Sequence, residues 1–160
     1  MLSEEIKSLA GKVFASGVFE VEKESIKRFA DAVGDMNPLY RDPDYAAKSR
    51  YGSIIAPPGF ISSVWYWAGD ENRTEGLPGM FGLVQSLADA GYRSTIDSAI
   101  DYEFFVPIKA GDVIKSESVI RDIKERKSDE GNIVFLITDT TYTNSDGEVA
   151  AKVRWTTIHR

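Results

Sequence analysis

The apolar positions of this chain change period along its length, from a helical spacing in the first half to alternation in the second. Ile26, Phe29, Ala30 and Val33 fall at i, i+3, i+4 and i+7, the spacing of one helix face. Ser25 is placed to cap this helix and Gly34 to end it, which leaves Asp35 and Asn37 in the turn beyond. Ahead of it, Val18 to Val21 reads as a short strand and the first dozen residues as a polar, amphipathic arm. Asp42 precedes Pro43, a residue suited to the first helical position. A second short helix is therefore predicted, carrying Tyr45, Ala46 and Ala47 and stopping near Tyr51-Gly52. Pro57-Pro58-Gly59 launches a third, Phe60 to Ala68, closed by Gly69. Phe60, Ile61, Val64, Trp65, Trp67 and Ala68 cover most of its circumference, and a helix that is apolar nearly all round is a buried one.

The second half is strand-like. Residues 70–98 hold several glycines and few clean periods, and read as loops with a short helix near Val84 to Ala90. Ile100 to Val106, Val113 to Lys124, Asn132 to Thr143 and Val149 to Ile158 read as strands. In the last, Val149, Ala151, Val153 and Trp155 alternate with Ala150, Lys152, Arg154 and Thr156, as in a half-buried strand. Lys109-Ala110-Gly111-Asp112, Ser128-Asp129-Glu130-Gly131 and Asn144-Ser145-Asp146-Gly147 are the turns between them. Helices first and an antiparallel run after them give an α+β class.

Composition narrows the chemistry. At 160 residues the natural reading is one domain over 1–160. The 8 Phe, 7 Tyr and 3 Trp suffice for an ordinary core. Cysteine is absent, which excludes disulfides, thiolate nucleophiles and Cys-based metal sites. With no apolar run of membrane-spanning length and no secretory signal pattern at the start, a cytoplasmic location is expected. A net charge of −6 argues against a duplex nucleic-acid partner. The single His, His159, lies one residue from the end. An internal His dyad or His-rich metal site is thus unavailable, and His159 reads as a strand-end residue. Gly76-x-x-Gly79-x-x-Gly82 neither follows a strand nor precedes a phosphate-binding Lys, so no nucleotide site is read there.

The candidate chemistry lies in two blocks, Asp35-Met36-Asn37-Pro38-Leu39-Tyr40 and Tyr51-Gly52-Ser53-Ile54-Ile55-Ala56-Pro57-Pro58-Gly59-Phe60. The tetrapeptide around Asp35 and Asn37 alone is better read as a turn whose side chains bond to backbone. The second block at its distance, and Pro107-x-x-x-Gly111-Asp112 further on, change that reading. Together they resemble the MaoC-like dehydratase or (R)-specific enoyl-CoA hydratase family, whose signature reads D-x-N-P-x-H and then F-G-x-x-I-A-H-G. The resemblance spans roughly residues 18–158 and implies a hot dog fold, an antiparallel sheet wrapped around a central helix. It implies water addition to an enoyl thioester, with an Asp and a His holding the water and a backbone N–H stabilising the enolate oxygen.

Asp35, Asn37 and Pro38 match that signature. Tyr40 stands in place of the His, and its ordinary pKa of ~10 makes it a poor base at neutral pH. Pro58 stands in place of the oxyanion Gly, and proline has no N–H; Gly59 offers one a residue later. This pattern resembles the N-terminal, FAS1-like dehydratase branch, whose members often form one half of a double hot dog while the partner half holds the Asp/His pair. The resemblance implies catalytic positions at Asp35, Asn37 and Tyr40, and substrate-binding positions at Tyr51, Gly52, Pro58 and Gly59. No cofactor or metal is expected; a coenzyme A or carrier-protein thioester is the expected substrate. A homodimer, or a heteromer with a catalytic subunit, is the expected assembly. Two other readings stay open: a self-sufficient lyase using Asp35 and Tyr40, and a non-catalytic acyl-CoA-binding protein. Trp65, Tyr66 and Trp67 are candidates for an acyl tunnel, with core packing the commoner role of the two Trp. Arg41, Lys48, Arg50, Arg73 and Arg93 are unranked candidates for the coenzyme A phosphates.

Overall fold

The periodic stretch around Ile26 forms α2, Lys23–Ala32, the third element of the chain; among the described residues, helices and a 3-10 turn pack on one face of a sheet. The computed structural model describes residues 2–63, 75–129 and 131–160. Ahead of α2 come α1, Glu4–Lys7, and β1, Val13–Glu20. After it come the 3-10 turn Pro38–Tyr40, α3 over Pro43–Lys48 and a helical segment that begins at Phe60. Met80–Asp89 is α4. The strands β2 (Thr95–Phe104), β3 (Val113–Ser128), β4 (Gly131–Thr143) and β5 (Val149–His159) complete the chain. They pair antiparallel in the order β1-β3-β4-β5-β2.

One face of the sheet is buried. In β4 the even-numbered residues Val134, Leu136, Thr138, Thr140 and Tyr142 are all buried. The register Leu136↔Thr157, Thr140↔Val153, Tyr142↔Ala151 puts them on the same face as the core side of β5. In β3 the buried set is Ile114, Ser118 and Ile120, then Ile123. The change of phase falls at the register shift between Ile120 and Asp122. That bulge keeps Ile123 on the core face although the alternation has slipped by one residue. Two apolar clusters result. One joins Ile26, Ala30, Tyr40, Ala46, Phe60 and Ile61 to the β5 end of the sheet. The other joins Leu2, Ile6, Leu83 and Leu87 to Phe14, Ile120 and Leu136.

Asp42 caps α3 through Asp44 and Tyr45 N–H, with Pro43 at the first position, as the sequence predicts. Gly131 and Gly147 take positive φ in their hairpin turns. Several expectations need correction. The first strand is Val13–Glu20 and not Val18 to Val21, because pairing with β3 extends it beyond the apolar signal. Ser25 does not cap α2. The helix starts three residues earlier, at Lys23 with Glu22 as N-cap, and the Ser25 hydroxyl instead donates to the Glu22 carboxylate at 3.3 Å. Val33 terminates the helix and is 58% exposed, so it lies off the buried stripe. The short helix expected near Val84 is real but begins at Met80. Ala150 is buried despite its outward phase, since a register shift falls at the Tyr142–Thr143 end of the β4–β5 ladder. Of the helix expected over Phe60 to Ala68, residues 60–63 are described and begin it where the sequence places it. Its remainder, with Trp65, Tyr66, Trp67, Gly69 and Arg73, lies outside the described residues. No described helix is long and apolar enough to cross a membrane.

Candidate functional site

Residues 35–40 form two successive side-chain-closed turns. The Asp35 carboxylate accepts the Asn37 N–H at 3.0 Å, and the Asn37 side-chain oxygen accepts the Leu39 N–H at 3.0 Å. Each is a short polar side chain bonding its own backbone two residues on. Arg41 braces the turn from behind, donating to the Asp31 carboxylate at 2.7 Å and the Asp35 carbonyl at 3.1 Å. The 3-10 turn then drives Tyr40 inward until its side chain is buried with the first apolar cluster. Burial, then the nearby Asp35 carboxylate, then Tyr51 push the Tyr40 hydroxyl above its usual pKa. At neutral pH it therefore carries its proton and is available as a donor, not as a base.

The second block reaches the same place by backbone bonds. The Ile55 N–H donates to the Leu39 carbonyl at 3.2 Å, Ala56 N–H to Ile108 at 2.8 Å and Ala110 N–H to Ile54 at 3.0 Å. These bonds lay residues 54–56 between the 3-10 turn and residues 108–110. The Lys109–Asp112 turn is closed by the Asp112 carboxylate, which accepts the Lys109 N–H at 2.8 Å. Thus the Pro107 to Asp112 motif serves as a clasp for the second block. Gly59 takes φ +88°, and a Cβ there would stand 3.6 Å from the Phe29 ring. That left-handed residue turns the chain from Pro58 into the helix at Phe60.

A cleft of about 350 Å³ opens between these blocks, lined by Tyr40, Tyr51, residues 55–58, Ile61 and residues 104–108. Of the expected site residues, the structure brings Tyr40, Tyr51 and Pro58 together in this cleft. Asp35, Asn37, Gly52 and Gly59 are not among its lining residues. Asp35 and Asn37 shape the turn that delivers Tyr40, Gly59 lies against Phe29, and Gly52 takes a positive φ after Tyr51. Pro57 and Pro58 form a wall that offers no N–H. The described lining residues are largely apolar with two phenols, Tyr40 and Tyr51, and include no His, Asp or Glu.

Phe104 and Phe105 are lining residues that the sequence reading missed. They continue the edge strand β2, and only their closeness to Pro107 signals a change from strand to wall. Ser62 and Tyr102 share a hydrogen bond at 2.7 Å next to this wall. Among the described residues no three His, Cys, Asp or Glu side chains converge to hold a metal ion. His159 is the last residue of β5 and fully buried, its ring nitrogens bonded to the Thr95 and Thr157 hydroxyls. Among the candidate cations, Arg41 is engaged with Asp31, and Arg50 packs on the cleft residue Tyr51.

The model of the FAS1-like, dehydratase domain region matches residues 8–153. A protein of Thermomonospora curvata described as a probable enoyl-CoA hydratase alpha subunit is 31% identical over 134 residues, 81% of this chain and 42% of that protein. This chain therefore spans less than half of that relative's length. The structure of the ChsH1-ChsH2 complex from Mycobacterium tuberculosis superposes with a TM-score of 0.75 at 22% identity, covering 96% of this chain and 90% of that one. The R-hydratase PhaJ1 from Pseudomonas aeruginosa in its unliganded form gives 0.63 at 21% identity, covering 92% and 79%. The fold shared with these proteins is the hot dog. The chain belongs to the FAS1-like dehydratase domain family, whose model matches residues 8–153.

Proposed function

Starting from that membership, we propose that this chain is the variant half of a two-subunit acyl-thioester hydro-lyase. Hydration of an enoyl thioester needs a base to take a proton from water, an acid to protonate Cα and a donor for the enolate oxygen. The described residues of this cleft supply neither a base nor the expected oxyanion donor. Tyr40 keeps its proton at neutral pH, and the wall at Pro57-Pro58 has no N–H. Asp35, the remaining acid–base candidate, directs its carboxylate to the Asn37 N–H. The chain's own part is to supply an apolar wall and phenolic donors around the acyl thioester, with the Asp/His pair coming from a partner of the same fold.

The observation that carries this reading is the pair of residues in the cleft, a proton-bearing Tyr40 and an N–H-free Pro58. Support for a partner comes from β2. It is an edge strand, all ten of its residues are exposed, and Ile100, Tyr102 and Phe104 are each more than a third exposed. An uncovered apolar edge is a liability that proteins cover. A second hot dog unit pairing there would lie beside Phe104 and Phe105 of the cleft wall. The T. curvata relative is itself described as an alpha subunit, and one structural neighbour is a complex of two named chains. The test is hydration of crotonyl-CoA by the chain alone and with a partner bearing an intact Asp/His pair. Turnover only in the mixture supports the proposal.

A further inference from the structure

An antiparallel sheet with one solvated face usually alternates apolar inward and polar outward. The outward positions of this sheet break that rule at one end. In β4, Phe135 and Ile137 point away from the buried set and are half-buried. The register carries the row across the sheet: Phe135 pairs with Ile158 of β5, and Ile158 pairs with Ile96 of β2, which is 42% exposed. The described helices all pack on the other face, with the two apolar clusters. Arg126 stacks over Phe135 at 5.6 Å and marks one rim of the patch. Apolar residues scattered singly over a surface are normal, whereas a joined row marks a contact surface.

Two rows further along, the same face turns ionic. Arg154 of β5 holds its register partner Asp139 of β4 through two parallel bonds at 2.7 and 2.8 Å. Between these rows Ile137 lies beside Thr156. The adjoining columns of β4 and β5 are complementary to each other, and that property selects the occupant. A twofold axis along the strands, between β4 and β5, lays β4 of one copy over β5 of a second. Phe135 then meets Ile158, Ile137 meets Thr156 and Arg154 meets Asp139, in both directions. The two ion pairs close into an alternating ring of charges. Turning the second copy end for end would instead set Ile158 on Arg154 and Phe135 on Asp139. The favoured rotation opposes Glu103 of β2 to Glu117 of β3, at the rim where solvent screens them.

We propose that the open side of this sheet is an interface with a second copy of this chain, packed face to face through β4 and β5. Sheets packed in this way lie about 10 Å apart with strands within about 30°. The contact lies on the side of the sheet opposite the helices, so β2 keeps its free edge for an unlike partner. The inference goes beyond the hydro-lyase reading and stands without it. With that partner it gives an assembly of two copies of each chain.

Sedimentation equilibrium of the full chain at micromolar concentrations tests this. The chain alone should be a dimer. Ile137→Lys and Arg154→Asp should each weaken the dimer by about tenfold or more. Exchanging both ionic residues, Asp139→Arg with Arg154→Asp, should restore it, because the exchanged columns remain complementary. Glu117→Lys should tighten it by turning the rim repulsion with Glu103 into attraction. Circular dichroism melts identify a variant that fails to fold, and the exchange and Glu117→Lys variants keep the test decisive if one does. A monomer would overturn the proposal. So would a dimer that Ile137→Lys, Arg154→Asp and Glu117→Lys all leave unchanged, which would place the contact at the β2 edge. A one-to-one complex with an Asp/His-bearing partner would overturn it as well. Hydration by that mixture should be the same for Ile137→Lys as for the parent chain. A mixture without activity therefore sinks the hydro-lyase reading and leaves the dimer standing.

Discussion

The Asp35 carboxylate closes a turn with the Asn37 N–H at 3.0 Å, and that turn, not an approach to the cleft, is where its acceptor oxygen is directed. The neutral Asn side chain retains an acceptor in the same place, whereas Ala does not. In a complex with an Asp/His-bearing partner, Asp35→Ala should raise KM while kcat changes little, and Asp35→Asn should do less. Loss of such a local cap costs about 0.5–2 kcal/mol, so Asp35→Ala should also lower the unfolding midpoint. A collapse of kcat with KM unchanged, in both variants, would assign Asp35 to the chemistry instead.

Gly59 carries the chain into the helix at Phe60 with φ +88°, on the side where an added Cβ would meet the Phe29 ring. Phe29 and Phe60 meet edge to face at 5.8 Å on the two sides of that bend. The 3.6 Å approach of a new Cβ to Phe29 is ordinary contact, so the cost of Gly59→Ala is the left-handed backbone, about 1–2 kcal/mol. Scanning calorimetry should show Tm lowered by roughly 2–8 °C.

His159 is buried and desolvation lowers its pKa. The unfolded chain, with its His near ~6.5, then binds more protons than the folded one. Stability from this group is complete above pH ~6.5 and falls as pH drops below it, by up to about 1.4 kcal/mol per pH unit until the folded pKa is reached. Denaturant unfolding between pH 7 and 5.5 should show this slope, and His159→Gln should flatten it.

Glu125 holds the N-terminal arm to the sheet. Its carboxylate accepts the Tyr92 hydroxyl at 2.5 Å, the Asn132 amide at 2.8 Å and the Leu2 N–H at 3.2 Å. The Tyr92 bond first, with the Leu2 and Asn132 bonds helping, holds its pKa down to about 2. Its contribution is present above the unfolded value of ~4.3 and is lost as pH falls toward 2. Glu125→Ala should raise hydrogen exchange in residues 2–12 at neutral pH and leave residues 35–60 protected.

Much of this was legible because the strongest signals are local. Asp42-Pro43, the hairpin glycines and the alternation of β5 each specify their element through nearby backbone chemistry. The two motif blocks located Tyr40, Tyr51 and Pro58, which the fold brings to one cleft. Less legible were features set by distant partners. The length of β1 depends on β3, the burial of Ala150 on a register shift, and the cleft role of Phe104 and Phe105 on a loop bonded to residues 54–56. Asp35 and Asn37 carry both the motif and the turn, and sequence alone does not say which use the side chains are put to.

On the proposed reading, this cleft holds an acyl thioester without being able to hydrate it. The most direct measurement is the initial rate of crotonyl-CoA hydration by the purified chain, with and without a MaoC-like partner that has an intact Asp/His pair. Missing a base and an oxyanion donor, each typically worth ~10²-fold or more, the chain alone should show negligible turnover, and the mixture should restore it. Robust hydration by the isolated chain, abolished by Tyr40→Phe or Asp35→Ala, would contradict the account and establish a self-sufficient lyase.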